Sequence, residues 1–316
     1  MTYAHDDHEH DHEHDHGHKH PPQDSRGLQQ ATTAAPARDM TEFGRVAVIS
    51  CIHGNLPALE AVWSDIEGRG ITQVLCLGDL VGYGPWPAEV VRFIETKGVP
   101  TIQGCWDEGI GLEKGDCGCH FVTESEGQAG EWSYRWTAER IGERERAFLK
   151  RLPPAIAARA GGARLVAVHG SPRSAHEYLT AETHELVLYE RAGSAGADVL
   201  LFGHTHVPYV KRISGELTLS VDTTAPETAA LPAPRPLRPK LFINAGSVGE
   251  PRHGSPEATY VILDPASLDV SIVGVDYDLK ATLAAMRRAE MPAAFVERLQ
   301  QGSELAVKDK TVACDC

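Results

Sequence analysis

Cysteine, histidine and aspartate side chains recur at the ends of short apolar runs along this sequence. Five consecutive runs end in this way, usually beside a glycine, and the side chains in chain order are Cys51 and His53, Asp79, Cys105 and Asp107, His169, and His204 and His206. The carboxyl ends of strands in an open α/β sheet are where such folds place their sites. We therefore expect one shared site, in which the thiols serve a metal or catalysis rather than disulfides.

The elements that position these residues alternate between strand-like and helix-like patterns from Arg45 onward, which predicts an α/β layered domain. The predicted strands are RVAVIS (45–50), QVLCL (73–77), PTIQ (100–103), ARLVAV (163–168), ADVLLF (197–202), KLFIN (240–244), 258–263 and 270–275. The predicted helices are 57–67, 87–97, 132–151, 183–192 and 279–301. Residues 226–239 contain five prolines, which predicts an exposed loop, and we place its limits at 222–240.

The composition excludes several classes of protein. The hydrophobic fraction of 42% and the charged fraction of 23% are typical of a globular protein. A formal net charge of −14 argues against nucleic acid as the main partner. No apolar stretch reaches the roughly 20 residues of a membrane helix, and residues 1–20 have no apolar core for a secretory signal. We therefore expect a cytoplasmic protein with no membrane partner.

The first 20 residues alternate histidine with acidic residues and hold eight of the sixteen histidines. Such a tract cannot bury apolar surface, so we predict that residues 1–42 form a disordered tail and linker. The tail is expected to bind metal ions for buffering or delivery. The competing interpretation is an expression tag, although tags rarely interleave acids in this way.

The order of these motifs resembles that of the calcineurin-like metallophosphoesterases, which carry Asp-x-His, Gly-Asp, Gly-Asn-His-Asp, His and Gly-His-x-His. The resemblance covers roughly residues 45–275 and includes the flanking phrases at 54–60, 78–85 and 244–249. These phrases look most like the small bacterial phosphodiesterase and diadenosine-polyphosphatase branch. The resemblance implies a four-layer α-β-β-α sandwich, which we assign to residues 43–278. The residue pattern itself predicts a C-terminal helix and a Cys-Asp-Cys tail over 279–316.

The resemblance also implies two transition-metal ions. One metal would be held by Cys51, His53, Asp79 and His206, and the second by Asp79, Cys105, His169 and His204. Asp79 would bridge the two metals, and a metal-bridging hydroxide would attack a phosphorylated small molecule or a nucleotide. Arg252 would contact a substrate phosphate, or it is simply a surface arginine.

Three positions depart from the family pattern: Cys51 replaces Asp, Cys105 replaces Asn and Trp106 replaces His. Thiolates bind Zn or Fe well, so the two cysteines favour these metals over Mn or Mg; the alternative is that both are small core residues without a metal. Trp106 cannot shuttle a proton at neutral pH. In the family pattern the aspartate at the position of Asp107 orients the neighbouring histidine, and this sequence has no histidine there to orient. General acid catalysis contributes about 10²–10⁴-fold, so we expect alkyl diesters to be poor substrates.

Two Cys-x-Cys pairs remain, Cys117/Cys119 in an insert at 104–131 and Cys314/Cys316 at the end of the sequence. Together they could form a separate Zn or Fe–S site, or the first pair could join the main metal site, or it could be a surface thiol pair with or without redox function. Cys76 is expected in the core. The predicted function is a dinuclear metallohydrolase; the alternative is a protein that stores, senses or delivers a transition metal on a catalytically altered scaffold.

Overall fold

The computed structural model describes residues 38–39, 44–119, 123–160, 162–217 and 235–303. Its strands are β1 (Arg38–Asp39), β2 (Val46–Ile49), β3 (Gln73–Cys76), β4 (Ala155–Ala160), β5 (Ala163–Val168), β6 (Val199–Phe202), β7 (Tyr209–Leu217), β8 (Arg235–Asn244), β9 (Ala258–Leu263) and β10 (Val270–Val275). Its helices are α1 (Leu56–Gly68), α2 (Pro87–Lys97), α3 (Cys105–Gly111), α4 (Glu124–Arg140), α5 (Glu143–Arg151), α6 (Glu185–Ser194), α7 (Leu279–Arg288) and α8 (Ala293–Gln301).

The described strands form two sheets. The smaller has the order β10-β9-β2-β3, with β2 and β3 parallel and β9 antiparallel to both of its neighbours. The larger has the order β1-β4-β5-β6-β8-β7, and its centre, β5-β6-β8, is parallel. Central strands such as β2 and β6 are buried along their whole length, as expected of strands covered on both faces.

Three apolar clusters define the layers. Side chains of β2, β3 and β9 pack against those of β5, β6 and β8, so the two sheets lie face to face. The outer face of the smaller sheet packs against α1, α2, α7 and α8. The outer face of the larger sheet packs against α6. This arrangement is the four-layer α-β-β-α sandwich expected from the sequence.

Some predicted elements were wrong in extent. PTIQ (100–103) is not a strand: it makes a single bridge, from Thr101 to Cys76. The helix predicted over 132–151 is two helices, α4 and α5, with Gly142 as the N-cap of the second. The helix predicted over 279–301 is likewise divided, because Pro292 cannot lie in a helix interior and instead caps α8.

The proline-rich loop also ends earlier than predicted, because β8 already begins at Arg235. Pro236 and Pro239 are tolerated there because this half of β8 pairs with β7 alone, whereas β6 pairs only with residues 241–244. Residues 1–37, 218–234 and 304–316, with Cys314 and Cys316, lie outside the described residues. Residues 38–39 of the predicted linker pair with β4. The described part of the chain contains no helix long and apolar enough to cross a membrane.

Candidate metal centre

The candidate site lies at the carboxyl ends of four strands. Cys51 and His53 follow β2, and Asp79 follows β3, in the smaller sheet; His169 follows β5, and His204 and His206 follow β6, in the larger sheet. Because the sheets pack face to face, these ends meet at one edge of the sandwich. Cys105 differs from the rest, since it begins helix α3 instead of following a strand.

The backbone at this edge is strained. Five of the residues that meet there have positive φ angles of 48–66°: Cys51, His53, Asp79, His204 and His206. The left-handed conformation is unfavourable by about 1–2 kcal/mol for a residue with a Cβ atom. Strain of this kind concentrates where the surrounding structure holds functional groups in place. The sequence predicted that these side chains meet, but it did not predict their left-handed backbone conformation.

The carboxylate of Asp79 is the point on which the other donor atoms converge. Its Oδ2 lies 3.1 Å from His169 Nε2, 3.6 Å from His53 Nε2 and 3.4 Å from Cys105 Sγ. Its Oδ1 accepts a hydrogen bond from the backbone N–H of Trp106 at 2.9 Å, which fixes the rotation of the carboxylate. One oxygen is therefore held by the protein while the other faces the site.

Donor atoms assemble into two overlapping sets, within each of which all atoms lie within 4.8 Å of one another. We call them the first donor group, which comprises Cys51, His53, Asp79 and His206, and the second donor group, which comprises Asp79, Cys105, His169 and His204. All of these side chains are buried. The structure thus brings together the seven side chains that the sequence placed in the metal site, and Asp79 is common to both sets.

The histidines are oriented so that Nε2 is available. The Nδ1–H groups of His53, His169 and His206 donate to the carbonyl oxygens of Val81, Leu77 and Glu250 at 2.9, 2.7 and 2.6 Å. A histidine that donates from Nδ1 carries its lone pair on Nε2, which is how metal-ligating histidines are usually fixed. The Nε2 atoms of His53 and His206 lie only 3.1 Å apart, so two lone pairs face the same point.

The thiols need a cation to ionise. Burial raises the pKa of Cys51 to about 12 and raises that of Cys105 well above its ordinary value. Cys51 Sγ nevertheless accepts a hydrogen bond from the backbone N–H of His204 at 3.3 Å and lies 3.2 Å from Ser50 Oγ. These contacts suit a thiolate, and a bound metal would supply the charge that deprotonates it.

The metal-free site holds protons where a metal would lie. Burial lowers the pKa of His169, but the carboxylate of Asp79 overrides it and raises the pKa to about 10. Conversely, burial raises the pKa of Asp79, yet the charge of His169 and the other imidazoles keeps it well below the usual range. Burial, reinforced by the charge of Arg252, lowers the pKa of His206 to about 3, so this imidazole is neutral at pH 7.

The residues fit a pair of transition metals. Within the part of the chain that the structure describes, the buried Nε2 atom of His204 has no hydrogen-bond partner, although buried polar atoms normally do. Two thiols, four imidazoles and one shared carboxylate form a donor set that favours Zn or Fe over Mg or Mn. The arrangement can bind cations, orient them and keep the ligands rigid.

Trp106 and Asp107 lie beside the site with different surroundings. Trp106 is only 1% exposed and packs edge-to-face on Tyr83, with ring centroids 4.7 Å apart. Asp107 accepts hydrogen bonds from the backbone N–H groups of Asp79, Leu80 and Gly104 at 2.7–3.0 Å. Asp107 therefore holds the Asp79 loop against the start of α3.

Glu250 is a residue of the site that the sequence analysis missed. Its Oε2 lies 3.2 Å from His206 Nδ1, and it forms buried ion pairs with Arg252 and Arg298. The Arg252 guanidinium lies 2.7 Å from this carboxylate and is 9% exposed. The adjoining phrase Gly246–Gly249 was the available signal, but nothing in it indicates that the next residue supports a histidine.

A cavity of about 320 Å³ opens beside the second donor group. His169 lines it, together with Lys114, Arg173 and His176. Lys114 lies 2.8 Å from Glu108, which also lines the cavity. The sequence analysis did not single out these three basic residues, since no motif marks them. The cavity thus places positive side chains next to the candidate metal centre.

The Cys117/Cys119 pair divides between two environments. Cys117 is 5% exposed and belongs to the apolar core, contrary to the interpretation as a surface thiol pair. Cys119 is partly buried, and its Sγ lies 3.4 Å from that of Cys105. Cys76 is fully buried in the core, as expected.

Comparison with known families decides the fold family. Residues 45–267 match the model of the calcineurin-like phosphoesterase superfamily domain. The chain belongs to the calcineurin-like phosphoesterase superfamily. Its members are metal-dependent hydrolases, so the resemblance carried by the motif order is confirmed, and the presence of candidate metal-ligand groups accords with membership.

Individual proteins similar to this chain match about four fifths of its length. An uncharacterized protein of Methanocaldococcus jannaschii is 33% identical over 260 residues, covering 81% of this chain and 98% of that protein. A metallophosphoesterase from Sphaerobacter thermophilus is 28% identical, with a TM-score of 0.62 over 82% of this chain and 99% of that one. A hypothetical protein from Pyrococcus horikoshii, 22% identical with a TM-score of 0.64 over 83% and 99%, shares the fold.

Proposed function

We propose that this phosphoesterase is a dinuclear hydrolase of a phosphorylated small molecule or nucleotide. The observation that carries the proposal is the sharing of Asp79 by two buried donor groups. A carboxylate with one oxygen fixed by a backbone N–H and the other facing three donor side chains has the form of a bridging ligand. The first donor group would hold one metal and the second donor group the other.

Two bound dications would neutralise phosphoryl oxygens and lower the pKa of a bound water toward about 7. The chain's own residues keep the ligands in place: Val81, Leu77 and Glu250 orient the imidazoles, and Asp107 positions the loop that carries Asp79. We propose Asp107 as a positioning residue, because its carboxylate is engaged by backbone N–H groups.

The cavity beside His169 is the proposed substrate site. Its volume of about 320 Å³ is at the small end of ligand pockets, which suits a compact phosphate ester or one end of a nucleotide. Lys114 and Arg173 would attract the phosphate, so an overall acidic chain can still bind an anion here. Arg252 has a different role in this proposal: it stabilises Glu250, which in turn supports His206.

Trp106 sets the preferred leaving group. The indole cannot donate a proton to a departing alkoxide, so substrates that leave as stable anions are favoured. Aryl esters and pyrophosphate linkages are of this kind. Metal storage or delivery, the alternative from the sequence, gains no support from the described residues, since the His-rich tail and the last cysteine pair lie outside them.

The test is turnover by full-length protein loaded with Zn²⁺ or Fe²⁺, after a chelating resin has removed weakly bound metal. Hydrolysis of bis(p-nitrophenyl) phosphate and of a dinucleoside polyphosphate should exceed that of a dialkyl phosphate. Asp79→Asn should abolish turnover, and Asp269→Asn, an exposed control, should not. Full metal occupancy without turnover of any phosphate ester would contradict the proposal.

A further inference from the structure

The segment that carries Cys117 and Cys119 folds back onto helix α3. Tyr134 Oη donates to the carbonyl of Gly109 at 2.9 Å and accepts from the N–H of Gly115 at 3.0 Å, so it joins helix and segment. The packing is close: a Cβ atom at Gly109 would lie 2.4 Å from the carbonyl oxygen of Asp116. Because α3 begins at Cys105, this packing directs the segment toward the candidate metal centre.

A tight turn at Gly118 then places the side chains of Cys117 and Cys119 in different environments. Gly118 has φ +66°, a Cβ there would lie 2.8 Å from the ring of His176, and its N–H donates to Asp116 Oδ1 at 2.9 Å. Cys117 Sγ accepts a hydrogen bond from the N–H of Cys119 at 3.3 Å and stays in the core. Cys119 Sγ instead lies beside Cys105.

The Cys105 and Cys119 sulfurs lie 3.4 Å apart, a distance at which two thiols can hydrogen-bond and which also matches two ligands of one metal ion. A disulfide has sulfurs about 2.05 Å apart. Two sulfurs bound to one Zn²⁺ at about 2.3 Å each lie about 3.4–3.8 Å apart for S–Zn–S angles of about 95–110°. The observed distance falls within this second range, and Cys105 Sγ is itself 3.4 Å from Asp79 Oδ2 and 3.8 Å from His204 Nδ1.

We propose that the Cys119 thiolate joins Cys105 as a ligand of the metal held by the second donor group. This metal then has two thiolates, two imidazoles and the shared carboxylate. The inference rests on the proposed metal centre and adds a ligand from outside the motifs that carry the family resemblance. Its consequence is a second metal more selective for thiophilic cations than the first, bound to a segment that also borders the substrate cavity through Lys114.

Cobalt substitution of the full-length chain tests the proposal. Thiolate ligands give Co²⁺ near-ultraviolet charge-transfer absorption, whereas the imidazoles and carboxylates of the His-rich tail do not. A Cys314→Ser/Cys316→Ser background removes the terminal thiols. With Cys51, Cys105 and Cys119 as the thiolate ligands, Cys119→Ser should lose about a third of this absorption. Cys117→Ser, the matched control in the same turn, should keep all of it.

X-ray absorption on the Cys314→Ser/Cys316→Ser parent, loaded with Zn²⁺ and stripped of tail-bound metal on a chelating resin to two ions per chain, gives an answer that does not depend on the folding of a Cys119 variant. Three thiolates on two metals correspond to about 1.5 sulfur neighbours per metal, and two correspond to about 1.0. A value near 1.0, unchanged absorption in Cys119→Ser, or a Cys105–Cys119 disulfide in protein prepared under reductant would overturn the proposal while leaving the metal centre intact. Absence of any sulfur signal in the parent would instead contradict the proposed function itself.

Discussion

Replacing Trp106 with histidine would restore the residue that the family pattern carries at this position. The change has a structural penalty, because Trp106 is 1% exposed and packs on Tyr83 and, at a centroid distance of 6.4 Å, on His53. Truncating a buried Trp or Phe to alanine costs about 3–5 kcal/mol, and imidazole refills part of the space, so we expect about 2–4 kcal/mol. That loss lowers the melting temperature by roughly 5–15 °C.

The catalytic gain can also be bounded from the structure. A general acid contributes about 10²–10⁴-fold. Asp107 already accepts hydrogen bonds from three backbone N–H groups, which leaves about one of its four lone-pair sites to orient the new imidazole. We therefore expect the lower end, about 10²-fold, in kcat/KM for an alkyl diester, and little change for a nitrophenyl ester, which leaves without protonation. The Asp79 carboxylate is unaffected, because its bond from residue 106 comes from the backbone.

The assay compares metal-saturated Trp106→His with Trp106→Phe below the melting temperature of both. Trp106→Phe also leaves space in the core but supplies no proton, so it controls for the cavity. The diagnostic quantity is the dependence of kcat/KM on leaving-group pKa, which should flatten in the histidine variant alone. Equal alkyl-ester rates in the two variants, or equal acceleration of alkyl and nitrophenyl esters, would refute the reasoning.

Three further predictions concern the metals. Asp79→Asn should reduce the tightly bound metal from two ions to at most one, measured by elemental analysis. It should also lower kcat/KM for a nitrophenyl ester by about 10³-fold or more. Two retained ions would show that Asp79 does not bridge. Cys51→Asp combined with Cys105→Asn should shift the preference from Zn²⁺ toward Mn²⁺, measured by competition between the two ions, and an unchanged ratio would show that these thiols are not ligands. Metal affinity should rise with pH. In the metal-free site the pKa of His169 is raised to about 10 and that of Cys51 to about 12, so at pH 7 both side chains carry protons that a metal must displace. Below these pKa values, each proton that the metal displaces raises the metal affinity about tenfold per pH unit. Chelator competition at pH 6, 7 and 8 should therefore give a steadily rising affinity. A flat profile would contradict the assignment of His169 and Cys51 as ligands.

The sequence predicted the layers and the composition of the site, because both depend on local patterns. Apolar runs ending in Cys, His or Asp indicate strands that lead into a shared edge, and these runs were found as β2, β3, β5 and β6. The prediction of PTIQ (100–103) as a strand was wrong because its pairing with β3 stops after one bridge, from Thr101 to Cys76, and apolarity alone does not reveal where pairing stops. Its Cys105 still reaches the site, because helix α3 begins there.

What the sequence could not predict depends on long-range contacts. Glu250, which lies beside His206, is itself paired with Arg298, and Arg298 comes from helix α8 near the end of the described chain. The position of Cys119 depends on Tyr134, which fixes the segment against α3 from a separate helix. The sequence left three interpretations open for that cysteine pair, and spacing could not choose among them, since the choice is made by tertiary packing.

The measurement that tests the central claim most directly is anomalous diffraction at the metal edges from crystals of Zn²⁺- or Fe²⁺-loaded protein. Two peaks are predicted, both bonded to Asp79, with one next to Cys51 Sγ and the other next to Cys105 Sγ at about 2.3 Å. A single peak, or two peaks that do not share Asp79, would contradict a dinuclear centre on this scaffold.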